Sequence, residues 1–336
     1  MIYPKFLKEN DLISVPAPSD GANNEQDIKR YKNAVEKLEK LGYKIKLSKN
    51  IFNSKMARSA DAKTRAEEIN EMFQDESSLI LCAAGGEFLV EILPHVNFEE
   101  IVKNPKWVEG FSDPTGILFP LTTKYDIATI YGTNFKSFGM KEYHKSLNDN
   151  LEILKGNLIE QESYDLYENE RIEKITGLEG YNLTEKVEWK TINNEEINVT
   201  GRIMAGCFDL IMELAGTKYD GVKEFNEKYK QDGIIWCFDN CEYSKEELIR
   251  SLWKLNELEY FKYTKAIIFG RNGRDISYLE YDMENAIKDS VISKLDIPII
   301  YDTDISHNAP RMTIINGSVA NVQLKDGKGK IKFELK

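Results

Sequence analysis

Short apolar runs alternate with longer stretches of mixed polarity through the first half of the chain, as strands separated by helices would. DLISVPAPSD reads as a strand ending in a turn, and NEQDIKRYKNAVEKLEKLGY as an amphipathic helix closed by Gly42. KIKLSK is a second strand, ADAKTRAEEINEMFQD a second helix, and SSLILCAAGGE a buried strand running into a double glycine. FLVEILPHV and NFEEIVKNP read as short helical pieces. KWVEGFS and DIATIYGTNF are further strands, with a helix starting near Pro114 between them. This alternation predicts a mainly parallel sheet with both faces covered.

From about Leu147 to Asn198 the periodicity weakens and the composition turns acidic. Tyr164, Leu166, Tyr167, Ile175, Leu178 and Trp189 still offer packing surface, so the segment reads as a connection with short strands and not as disorder. The second half resumes with NVTGRIMAGC as a strand, FDLIMELAGT as a helix and GIIWCFDNC as a strand. SKEELIRSLWKLNELEYF is a helix with Ser244 as its cap and Glu247 completing a capping box. KAIIFGR and IPIIYDTDI are strands on either side of a helix YLEYDMENAIKDSVISKL. The C-terminal MTIINGSVANVQLKDGKGKIKFELK reads as antiparallel, with turns at Asn316-Gly317 and Asp326-Gly327.

At 336 residues the chain is long for one core and predicts two domains. No window reaches the roughly 18 uninterrupted apolar residues of a membrane span. Lys8, Glu9 and Asp11 interrupt any apolar signal-peptide region at the start, which makes a cytoplasmic location the expectation. The formal net charge of −11 disfavours nucleic acid as a main partner, because such binding neutralises phosphates with Lys and Arg. Four cysteines, Cys82, Cys207, Cys237 and Cys241, do not make a disulfide framework at this length. Cys237 and Cys241 lack the further Cys or His partners of a zinc site and read as buried thiols, so no metal is expected.

The stretch GFSDPT places Ser112 where a strand ends and a helix begins. Two readings share that geometry. Serine is a good helix cap, with Asp113 and Pro114 favouring a helix start. A sharp strand-to-helix turn also lifts a hydroxyl out of a sheet and aims backbone N–H groups at an oxyanion. Gly85-Gly86, after a buried strand, is either a plain tight turn or a place where bare N–H groups approach a ligand. A base would have to come from His95, His144 or His307, and His307 alone lies in a loop directly after a buried strand. His95 is expected beside packed helix, and His144 in an exposed, charged stretch. Asp239, closing the strand GIIWCF, could orient a histidine or cap the next turn. Trp236, Tyr243, Trp253 and Tyr278 are expected in the core.

Taken in order, five segments resemble the LD-carboxypeptidase and microcin C immunity family of serine peptidases. They are ISVPAPSDG, the Gly-Gly to GFSDPTGI block, GRIMAGCFDLIMELAGTKYD, GIIWCFDNCE and IPIIYDTDISHNAPRMTIINGSVANV. The resemblance implies an α/β fold. An N-terminal Rossmann-like parallel-sheet domain (1–150) carries the nucleophile, and a connection (151–195) leads to a mixed, β-rich C-terminal domain (196–336). The active site would lie in the cleft between the domains, in a homodimer without cofactor. It implies Ser112 as nucleophile, His307 as base and Asp239 as acid, with Asp113 and Gly85 or Gly86 lending oxyanion N–H groups. Asp239 stands where the family usually has Glu, so its loop must approach His307 more closely. Ala84 stands where many LD-carboxypeptidases have Arg, and IYGTNFKSFGM replaces the common His-Gly-Pro segment. The implied substrates are a murein tetrapeptide, which favours Arg or Lys in the cleft, or a toxic aminoacyl-nucleotide, which favours aromatic stacking and phosphate donors. A non-catalytic binding protein on the same fold is the other alternative.

Overall fold

The apolar runs of the N-terminal half assemble around β1 (Leu12–Val15). In the computed structural model, which describes residues 1–170 and 172–336, β1 lies between β2 (Lys44–Leu47) and β3 (Leu79–Leu81). Beyond β3 come β4 (Trp107–Gly110) and β5 (Thr129–Tyr131), all parallel. The strand order reverses at β1 and β3, which puts a crevice outside their carboxyl ends. Helices α1 (Glu25–Lys40) and α2 (Ala62–Gln74) make the first crossovers, capped by the side chains of Asn24 and Asp61. Gly42 follows α1 with φ 92°, the left-handed conformation that suits glycine at a helix end. A short helix, α3 (Phe98–Lys103), precedes β4.

Helix α4 (Thr115–Thr123) is buried along its whole length, as its sequence TGILFPLTT requires. It packs on β4 and β5 and, on its other side, on elements of the second sheet. Helix α5 (Lys145–Leu154) then carries the chain into a connection where sequence periodicity alone showed no long element. The connection supplies the two-residue strands β6 (Gln161–Glu162), β7 (Leu166–Tyr167), β8 (Glu185–Lys186) and β9 (Lys190–Thr191). β7 and β8 pair with each other, and β6 and β9 become the two edges of the second sheet.

The centre of that sheet is parallel: β10 (Ile197–Cys207), β11 (Ile234–Asp239), β12 (Thr264–Gly270) and β13 (Ile299–Thr303). α6 (Phe208–Leu214) and α7 (Val222–Lys228) follow β10, and α8 (Lys245–Glu257) follows β11 with the expected Ser244–Glu247 capping box. The helix predicted over YLEYDMENAIKDSVISKL is shorter. It consists of α9 (Met283–Asp289) and a single 3₁₀ turn, because the Glu246 carboxylate takes the Tyr278 and Leu279 N–H groups and holds that loop open.

The C-terminal segment corrects a second expectation. β14 (Ile314–Asn316) does not form a hairpin with the next strand; it adds antiparallel to β5 at the edge of the first sheet. Only β15 (Val319–Lys325) and β16 (Lys328–Glu334) pair as a hairpin, with Asp326 and Gly327 both at positive φ. The chain thus runs from β13 in one sheet to β14 in the other and back to β15. Asn316 fastens the crossing, since its side chain accepts from the Ala205 N–H (2.7 Å) and donates to the Ala205 carbonyl (3.0 Å). No helix among the described residues is long and apolar enough to cross a membrane.

Glu109, near the end of β4, is fully buried, and its Oε1 accepts from the Thr133 N–H (2.9 Å) and from Asn150 Nδ2 (2.5 Å). Burial outweighs those two donors and pushes its carboxyl up to about 8. A carboxyl with a raised pKa binds its proton more tightly when folded, so its effect is to lower stability as pH rises from about 4.5 to about 8. Urea unfolding at about pH 5 and about pH 9 is expected to show a larger loss for wild type than for Glu109→Gln, which stays neutral throughout. Parallel pH profiles would contradict the assignment.

Candidate active site

The backbone between β4 and α4 turns within four residues, and the residues present fit that turn. A Cβ at Gly110 would run into the Pro114 ring. Phe111 is gripped by Asn134, whose Oδ1 accepts from the Phe111 N–H (3.0 Å) and whose Nδ2 donates to the Phe111 carbonyl (3.1 Å). Ser112 then adopts φ 69°, a left-handed conformation that costs a non-glycine residue about 1–2 kcal/mol. Its carbonyl accepts from the Thr115 N–H at the helix start, but its hydroxyl does not cap the helix. Ser112 Oγ points out of the turn and lies 2.9 Å from His307 Nε2.

The neighbouring Asp113 turns the other way. Its buried carboxylate takes hydrogen bonds from the Ser19 hydroxyl and, at 3.0 Å, from the Leu89 N–H. Burial raises its pKa to about 6. It thereby ties the loop after β1 and the loop after β3 to the turn that carries Ser112. The Gly85 backbone runs against Ser112, where a Cβ would lie 3.2 Å from the serine Cβ, and a Cβ at Gly86 would collide with Ser19 Oγ. The N–H groups of Gly85, Gly86 and Asp113 donate to no protein acceptor among the described residues.

His307 and Asp239 come from the second sheet. Asp239 ends β11, and His307 sits in the loop after β13. His307 Nδ1 lies 2.8 Å from Asp239 Oδ1. An ionised carboxylate only accepts, so this contact places the ring proton on Nδ1 and leaves Nε2 as an acceptor facing Ser112. The second Asp239 oxygen accepts from the Tyr131 hydroxyl at 2.7 Å. Burial and the adjacent Asp239 push the Tyr131 phenol well above its ordinary pKa, so it remains a donor. Tyr131 comes from β5 and was not singled out in the sequence; the only signal was its place in the segment that departs from His-Gly-Pro. The His307 loop is itself anchored by a buried ion pair. Arg271 reaches Asp304 Oδ1 at 2.7 Å and donates to the Asn308 and Pro310 carbonyls, while Trp189 Nε1 donates to Asp304 Oδ2.

These groups open on a cleft of about 490 Å³ lined by both sheets' loops, Gly85, Gly86, Ser112 and His307 among them. Cys241 also lines it and is half-buried, whereas Cys82, Cys207 and Cys237 are fully buried. The remaining histidines lie elsewhere. His95 is exposed, and His144 is half-buried, capping α5 through Nδ1 and packed edge-on against Tyr164 and Tyr181. Trp236 is core, and Tyr243 is half-buried against the core, edge-on to Phe208. Trp253 (59% exposed) and Tyr278 (61% exposed) are on the surface, contrary to expectation, with Tyr278 accepting from Arg250.

Two α/β sheets joined across a cleft, with a serine from one facing a histidine and a carboxylate from the other, define the class. The profile of the LD-carboxypeptidase N-terminal domain matches residues 13–132, and that of the C-terminal domain matches residues 200–322. The chain belongs to the LD-carboxypeptidase family of peptidases. Among its relatives, the microcin C7 self-immunity protein of Escherichia coli is 26% identical over 307 residues, covering 85% of this chain and 83% of that protein. The structure of a microcin C7 self-immunity protein in complex with aspartyl sulfamoyl adenosine has the same fold, with a TM-score of 0.82, 22% identity and full coverage of both chains. The muramoyltetrapeptide carboxypeptidase from Oxalobacter formigenes superposes with a TM-score of 0.72 at 19% identity, covering 96% of this chain and 98% of that one.

The left-handed Ser112 yields a stability test. Glycine adopts φ 69° without the steric penalty that alanine carries, so Ser112→Gly is expected to unfold with about 1 kcal/mol more free energy than Ser112→Ala. Equal stabilities in denaturant melts would mean the turn is not strained in solution.

Proposed function

We propose that the chain is a serine peptidase that hydrolyses a small amide through Ser112, His307 and Asp239, cleaving a murein tetrapeptide in the manner of an LD-carboxypeptidase. The observation that carries this reading is the continuous hydrogen-bonded line from Ser112 Oγ through His307 to Asp239, at 2.9 and 2.8 Å. His307 takes the Ser112 proton as Oγ attacks the carbonyl, then delivers it to the leaving amine. The negative oxygen of the tetrahedral intermediate meets the N–H groups of Asp113 and of Gly85 or Gly86, each worth roughly 10²–10³-fold in such sites. Asp239 holds the tautomer and stabilises the imidazolium. Water activated by His307 then releases the acyl group.

The shorter carboxylate in place of Glu is compatible with this role, because Asp239 reaches Nδ1 directly while Tyr131 holds its other oxygen. The cleft wall favours a charged peptide. Both signs line it, Arg30, Lys136, Lys174, Arg274 and Arg311 together with Asp20, Asp27, Glu87, Glu168, Glu179 and Glu242, as a peptide carrying both carboxylates and an amine would need. Apart from His307, the side-chain rings there are Phe111 and Tyr181. The second reading, hydrolysis of an aminoacyl-nucleotide, is favoured by the relative named for microcin C7 self-immunity and by its complex with aspartyl sulfamoyl adenosine.

D-Alanine release from a murein tetrapeptide, followed by mass spectrometry, tests the proposal. Ser112→Ala and His307→Ala are each expected to lower kcat/KM by at least about 10⁴-fold, with the double variant losing little more. Wild-type turnover by Ser112→Ala would refute the mechanism. Amino-acid release from aspartyl sulfamoyl adenosine alone would select the second reading. Tyr131→Phe, which leaves Asp239 with one hydrogen bond fewer, is expected to lower kcat by about tenfold at unchanged KM; an unchanged kcat would deny Tyr131 its positioning role.

A further inference from the structure

We propose that Arg311 is the anion anchor on the leaving-group side of the cleft and holds the α-carboxylate of the amino acid released on cleavage, an assignment that rests on the peptidase reading above. The cations lining the cleft differ in how they are engaged. Lys136 and Lys174 lie 2.8 and 3.8 Å from Asp27, and Arg274 lies 3.1 Å from Glu242. Arg30 is committed to the carbonyls of Lys136, Gly177 and Glu179. Arg311, among the described residues, has no carboxylate within ion-pair distance. Its hydrogen bonds are long ones, from Nε to the Ser306 carbonyl (3.3 Å) and from Nη2 to the His307 carbonyl (3.5 Å). Its guanidinium stacks on the Phe111 ring, 3.7 Å from the centroid. A stacked fork is oriented before any ligand arrives, with its edge N–H groups left for an acceptor.

Position decides which anion it meets. Phe111 immediately precedes Ser112, and its ring also packs on the His307 imidazole with centroids 4.5 Å apart. Arg311 therefore belongs to the histidine side of the nucleophile. The leaving nitrogen must come within reach of His307 Nε2 to receive its proton, so the fragment bonded to it runs along the loop that carries both His307 and Arg311. In a departing amino acid the carboxylate is two bonds from that nitrogen, and a guanidinium fork matches a carboxylate in a bidentate fashion. A sulfamoyl or phosphoryl group bonded directly to the nitrogen would present similar anionic oxygens, and the two sources are separable.

Binding is measured by calorimetry on Ser112→Ala with three probes: the murein tetrapeptide, the same peptide with a C-terminal carboxamide, and aspartyl sulfamoyl adenosine. The acid is expected to bind roughly 10- to 100-fold more tightly than the amide. Adding Arg311→Met should abolish that preference by lowering acid binding far more than amide binding, and the amide binding that remains also reports an intact cleft. Arg311→Lys should retain part of it. Equal binding of acid and amide, an acid preference that survives Arg311→Met, or no tetrapeptide binding overturns the proposal. So does an Arg311 dependence confined to the sulfamoyl adenosine, which assigns the arginine to the nucleotide's anion instead. Wild-type turnover is assayed separately. Arg311-dependent binding of the acid without D-alanine release would refute the peptidase reading and leave the anion site standing.

Discussion

The arrangement depends on holding two independent sheets in register to within a hydrogen bond. Ser112 is delivered by the first sheet, His307 and Asp239 by the second, and a shift of one ångström at the seam would break the line between them. Several features resist such a shift. Helix α4 fills the seam and is buried on every face. Its first residue, Thr115, accepts from the Cys207 N–H at the end of β10. The chain that carries His307 continues at once into β14, so the loop bearing the histidine is pinned at one end in the second sheet and at the other in the first. Asn316 closes that crossing through two hydrogen bonds to the Ala205 backbone. Tyr131 adds a contact that reaches from β5 to the carboxylate itself.

Polar groups inside this seam serve to position, and several are held against their ordinary chemistry. Asp113 and Glu109 are buried carboxyls with raised pKa values, each joining loops that would otherwise end independently. Asp113 ties the loops after β1 and β3 to the serine turn, so the N–H groups around Ser112 are fixed before any substrate arrives. The Arg271–Asp304 pair does the same for the histidine loop, joined by four hydrogen bonds to the Tyr164 N–H, the Asn308 and Pro310 carbonyls and Trp189. Donors fixed in advance need no reorganisation when charge develops, which is where such sites derive their advantage over water.

Much of this was legible along the chain. The parallel strands, the cap of α8 and the Asp326-Gly327 hairpin follow from local patterns of apolar spacing, capping residues and residues tolerant of positive φ, all of which act within a few positions. The strand-to-helix turn at Ser112 was visible for the same reason; local pattern left cap and nucleophile both open, and only the family resemblance favoured the nucleophile. The misplacements were of another kind. β14 looks like half of a hairpin and pairs instead with a strand far away in sequence. Helix α9 is cut short by a carboxylate from α8, and Trp253 and Tyr278, apolar enough for a core, lie outside it.

The sequence by itself determined most of the elements, their order, the family to which they belong, and the few residues proposed for the chemistry. Tertiary structure decided which of those residues meet. Local rules act through backbone preference and neighbouring side chains, so they can say that Ser112 begins a helix and that Asp239 ends a strand. Whether Asp239 reaches His307, whether Tyr131 supports it, and which groups come near Arg311 depend on how two sheets dock. That docking is set by the summed burial of α4 and by hydrogen bonds between residues far apart in the chain, which no local pattern records.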